Sequence, residues 1–86
     1  MNATNLPAML QNTRAIILRT VAYGDTSLIV SALTDAYGLQ QYLVKGARQA
    51  SKKGSSQASM LQPGAILELV VYHNELKQLQ IIREMR

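Results

Sequence analysis

Eighty-six residues, 48% apolar and 16% charged, make one small globular domain, too short for a second and too apolar for disorder. The absence of cysteine excludes disulfide staples and thiolate-held zinc, and it fits a reducing cytoplasm. The formal charge of +4 is moderate, the longest apolar run of four residues is too short to span a membrane, and the first residues do not read as a secretory leader.

Residues 1–8 (MNATNLPA) are small and polar, and Pro7 discourages regular structure, so they read as a flexible leader to a domain at 9–86. Five strand candidates follow: residues 13–21 (TRAIILRTV), 27–34 (SLIVSALT), 39–46 (LQQYLVKG), 65–72 (AILELVVY) and 78–84 (QLQIIRE). Each is rich in β-branched or apolar residues and has the length of a strand, short for a helix. Tyr23-Gly24-Asp25-Thr26 separates the first two, and Asp35-Ala36-Tyr37-Gly38 carries the type I turn signature before the third. Pro63-Gly64 opens the fourth, and residues 73–77 form a polar hairpin loop in which Asn74 can turn left-handed.

Alternation places Leu67, Leu69 and Val71 on one face of the fourth strand, against Ile66, Glu68, Val70 and Tyr72. The second strand is apolar on both faces, Leu28, Val30 and Ala32 against Ile29 and Leu33, which suits a closed barrel or a sandwich covered by a partner. A helical reading remains open for LIVSALTDAY and for LQIIREMR. The connections are short except after the third strand, where residues 47–62 hold a Ser- and Gly-rich stretch. That pattern predicts an all-β fold, a five-stranded Greek-key OB barrel with a short helical turn at 56–61. An SH3-like barrel is the nearest competitor.

Groups for catalysis are scarce. His73 is the one histidine, the acids are scattered, and no nucleophile elbow, zinc motif or Gly-rich phosphate loop is present. His73 reads as a loop or strand-end residue, and the chain as a binding module with no cofactor or metal. Cations are distributed more tellingly. No acid lies between Asp35 and Glu68, and Lys45, Arg48, Lys52 and Lys53 all fall in that gap. Such a run suits tracking of a phosphate backbone, and it equally suits a solvated loop. Arg14 and Arg19 are spaced to opposite faces of an ideal strand, so only one joins this surface unless a bulge intervenes. Tyr42 is the candidate for stacking a base, with Tyr23 brought in by the usual OB binding surface, although packing competes as the role of each tyrosine. With so few aromatics, affinity rests on charge and binding is independent of sequence.

The strand-one RAIILRT, the turn and strand YGDTSLIV, KGAR after the third strand and LQP before the fourth follow in order with fitting gaps. From Met9 to Arg86 the chain resembles the N-terminal domain of RecO, a bacterial recombination mediator of DNA repair. The resemblance implies an OB fold, binding of single- and double-stranded DNA and strand annealing in the cytoplasm. It also implies partnership with RecR and, in the complete system, with single-strand-binding protein and RecA. By the same likeness the KGAR residues Lys45 and Arg48 face DNA, with Lys52 and Lys53 extending that surface by position alone. Members of that family continue into a helical domain that often carries a cysteine zinc site, and residues 1–8 have no counterpart in them. An alternative function is protein interaction, the barrel docking RecR through outward apolar positions such as Leu43, Val70 and Tyr72 while other parts hold the DNA.

Overall fold

A computed structural model of the chain describes residues 9–49 and 57–86. Its strands are β1 (Met9–Tyr23), β2 (Ser27–Thr34), β3 (Gly38–Val44), β4 (Ile66–His73) and β5 (Leu79–Met85), with one turn of 3-10 helix, Gln57–Met60, between β3 and β4. The strands close into a barrel in the order β1-β2-β3-β5-β4. All neighbours are antiparallel except β3 and β5, which run parallel over residues 41–43 and 79–81. The closed five-stranded arrangement agrees with an OB fold.

The expected strands and the helical turn fall where the pattern puts them, with ends displaced by a few residues. Both segments that left a helical reading open are strands, β2 and β5. β1 is the larger departure. It begins at Met9 because residues 9–16 pair with β4, while residues 15–23 pair with β2. One strand thereby serves two sheets, and its polar opening is held by a partner more than fifty residues away. Asn74 also departs from expectation, since positive φ is confined to glycines among the described residues. Its side chain instead accepts from the Leu76 amide at 2.9 Å, an Asx turn. Buried Gln80 clamps the same loop, accepting from the Asn74 N–H at 2.8 Å and donating to the Asn74 and Lys77 carbonyls.

Alternation sets the core. Ile17, Val30, Tyr42, Leu69 and Val71 point inward with Ala15, Leu28 and Leu67, and Leu61 after the 3-10 turn plugs one end. Two bulges fall at or beside arginines, and the first turns Arg19 outward. Ile17 pairs with Ala32 and Arg19 with Ser31, so Leu18 is the extra residue and Arg19 emerges on the outer face, as Arg14 does. On β5, Ile82 opposes Val71 and Glu84 opposes Val70, leaving Arg83 as the bulged residue.

The β2–β3 turn is welded to β1 through Asp35. Its carboxylate accepts from the Thr13 hydroxyl at 2.8 Å and the Arg14 N–H at 3.0 Å, and Thr13 Oγ1 accepts from the Ala36 N–H. The Thr13 bond first, then the Arg14 amide, hold the Asp35 carboxyl below its ordinary range. The contribution of such a depressed acid is present above the unfolded carboxyl's titration and is lost as pH falls through the folded value. Asp35→Asn should therefore melt below wild type at neutral pH, the gap closing on acidification. A gap that stays constant with pH would remove the ionised carboxylate from this account.

Candidate nucleic-acid interface

The cation-bearing turn after β3 is built by its small residues. Gly46 has φ of 70°, a left-handed conformation that other residues rarely adopt. A Cβ there would also meet Gln49 Oε1 at 3.3 Å. That turn drives Ala47 into the core, fully buried, where its carbonyl accepts from the Ala58 N–H at 2.8 Å and anchors the 3-10 helix. Arg48 then crosses to the β1–β2 turn. Its N–H donates to the Thr26 carbonyl at 2.8 Å, and its Nη2 donates to the Gly24 carbonyl at 2.6 Å. KGAR is thus a structural knot as well as a charged segment.

Lys45 and Arg48 are exposed at this end of the barrel, with Tyr23 beside them at the end of β1. Arg19 lies on the outer face of β1, opposite Ser31, which in turn lies opposite Gln41. An outward row of Val21, Ile29 and Leu43, paired strand to strand, comes next along the β1–β2–β3 sheet. Lys52 and Lys53 lie outside the described residues. Asp25 is exposed in the β1–β2 turn at this end.

Tyr42 requires a correction. It is 0% exposed, paired with Val30 inside the barrel, and so presents no face to a base. The reason is parity: Tyr42 and Lys45 are three residues apart, which in a strand puts them on opposite faces. Burial, with a smaller effect of Tyr37, pushes its phenol up to about 12. Tyr37 stacks on His73, ring centres 3.6 Å apart, which makes His73 a packed strand-end residue.

Arg83 is the residue that reading along the chain misses. It lies thirty-eight positions beyond Lys45, yet both line one groove of about 230 Å³ at the β3–β5 seam, with Leu43, Ile81 and Gln57. Lys45 and Arg83 each stand two residues past the paired Leu43 and Ile81 on parallel strands. The parallel register is the only signal that could have found it. A larger cleft of about 450 Å³ is lined by Arg14, Asp35, Glu68 and Arg86, two cations and two acids. Arg14 and Glu68 stand 3.9 Å apart there, the one ion pair among the described residues. That balance gives a polyanion little net attraction.

Residues 9–86 match the family described as Recombination protein O N terminal. The chain belongs to this RecO N-terminal family. Among curated relatives, the DNA repair protein RecO of Chloroherpeton thalassium is 43% identical over 76 residues, 88% of this chain and 28% of the relative. The proteins of that name from Christiangramia forsetii and Salinibacter ruber are 40% and 39% identical, over 88% and 84% of this chain. The chain spans 31% and 26% of those two relatives, so it corresponds to under a third of a RecO of their kind.

The Tyr42 hydroxyl is buried with no hydrogen-bond partner among the described residues. Tyr42→Phe should therefore leave stability unchanged or raise it, and a loss above about 1 kcal/mol would reveal a partner for the hydroxyl. Because the folded phenol titrates above an unfolded one, wild-type stability declines as pH rises from about 10 toward about 12. The phenylalanine variant should lose this alkaline limb in melts read by circular dichroism.

Proposed function

We propose that this chain is the DNA-binding OB module of a RecO-type recombination mediator. It holds single- and double-stranded DNA through phosphates with little sequence preference, without chemistry of its own. The observation that carries the reading is the gathering of exposed Lys45, Arg48 and Arg83 at one end of the barrel. Arg19 supplements them from the β1 face, and Lys52 and Lys53 by their place in the chain. In a longer RecO-type chain this module precedes a helical domain and works in the cytoplasm in strand annealing. RecR, single-strand-binding protein and RecA are the partners proposed for the complete system.

A second reading, docking of RecR, is favoured by an apolar stripe on another part of the outer surface. Ile66, Ile16, Leu33 and Leu39 are paired in succession across β4, β1, β2 and β3. They remain 64%, 40%, 47% and 65% exposed, an arrangement typical of a covered surface. The stripe is separated from the Val21–Ile29–Leu43 row by the polar Arg19–Ser31–Gln41 row, so DNA and protein can occupy different bands of one barrel.

Neutralising about four phosphates of a single strand should make log affinity fall with log salt at a slope of about −3. Fluorescence anisotropy of a labelled oligonucleotide over a salt series reads this, and a flat response would overturn the charge-driven reading. In a pull-down with RecR, Leu33→Asp with Ile66→Asp should abolish capture while the salt slope persists. Retained capture would remove the stripe as the docking surface.

A further inference from the structure

The seam groove poses an electrostatic problem of its own. Parallel neighbours in a sheet stand about 4.8 Å apart, and Lys45 and Arg83 emerge just beyond such a pair, Leu43 and Ile81. No acid is among the residues that line the groove with them. Glu84, next in sequence to Arg83, is exposed and paired with Val70 of β4, outside the groove lining. Like charges held across neighbouring strands oppose folding. The groove thus holds two cations with no acid among the described residues that line it.

Leu43 and Ile81, between these cations and the middle of the barrel, are half-buried and exposed respectively. Ile81 is also paired with exposed Tyr72 of β4. The lining therefore has a charged end and an apolar floor, with the Gln57 amide on its rim. A phosphate alone would use the charged end and leave the floor wet. A stacked duplex carries phosphates outside and keeps its base faces covered, so it too has nothing for the floor. An unstacked nucleotide has both an anion and an apolar face, and a groove of about 230 Å³ is of the size to take part of one.

We propose that the β3–β5 seam groove is a single-strand-selective nucleotide seat, in which Lys45 and Arg83 together hold a phosphate and Leu43 and Ile81 carry the base. The inference rests on the DNA-binding reading and deepens it. Duplex DNA meets the cations of the barrel end from outside and leaves the apolar floor unused, so the floor of the seat sets the preference between the two forms. Arg83 is here a specificity-determining residue.

The test uses the 86-residue chain with a fluorescein-labelled oligo-dT and a mixed-sequence duplex of equal length, at one low salt concentration. Arg83→Glu should weaken duplex binding as the loss of a surface charge does, and weaken oligo-dT binding at least about tenfold more, the scale of a lost charged hydrogen bond. Arg83→Lys should recover most of the affinity, and Ile81→Ser should weaken oligo-dT binding alone, with folding of each variant checked by circular dichroism. Lys45→Ala and Arg83→Ala should be less than additive, as expected of two groups sharing one phosphate. Equal losses for both DNA forms would overturn the selectivity, and an Arg83→Glu variant that binds oligo-dT like wild type would overturn the seat while leaving the wider reading intact. Failure of the wild-type chain to bind either probe would overturn both.

Discussion

Three residue pairs close this barrel. Residues 41–43 of β3 meet residues 79–81 of β5 in parallel, and without that contact the molecule would be an open sheet with two exposed edges. Closure depends on β1, whose fifteen residues pair with β4 at one end and β2 at the other. It also depends on the buried Gln80, which sits in the seam opposite Tyr42 and clamps the β4–β5 loop that feeds β5 into place. The cations follow from this geometry. Lys45 leaves the end of β3 and Arg83 the far part of β5, and only the parallel seam makes neighbours of them.

The KGAR segment shows how one short stretch can serve structure and binding together. Gly46 turns, Ala47 fills the core, and Arg48 ties the turn to the Gly24 carbonyl. A guanidinium has donors to spare after one such bond, so bracing the β1–β2 turn does not withdraw Arg48 from a phosphate. The bracing fixes Lys45 and Arg48 on a rigid base. The cations that form the proposed interface are thus positioned by the same contacts that cap the barrel.

Bands of different character ring the outer surface: an apolar stripe across four strands, a polar row through Arg19, and a second apolar row leading to the charged end. Each band is a set of directly paired outward residues. The barrel can therefore offer distinct surfaces to an anionic polymer and to a partner protein without enlarging its 86-residue chain. In the cleft around Arg14, Asp35, Glu68 and Arg86, Arg14 pairs with Glu68, the Asp35 carboxylate holds the β2–β3 turn to β1, and the backbones of Arg86 and Glu68 bond each other.

Much of this was legible in one dimension. Period-two alternation in Leu67, Leu69 and Val71, the turn signature of residues 35–38 and the long connection before β4 depend on neighbours in the chain, and they pointed to an all-β barrel of five strands. Lys45 and Arg48 were legible as a charged turn for the same reason. The same alternation carries Tyr42 inward, opposite Val30. What lay beyond reach were the two bulges and the parallel register, because these arise from the fit of one strand against another and leave no periodic trace in either. Arg19 turns outward and Arg83 joins Lys45 through those fits alone. Local chemistry dictated which segments pair; only packing around a closed ring decided which distant side chains share a groove.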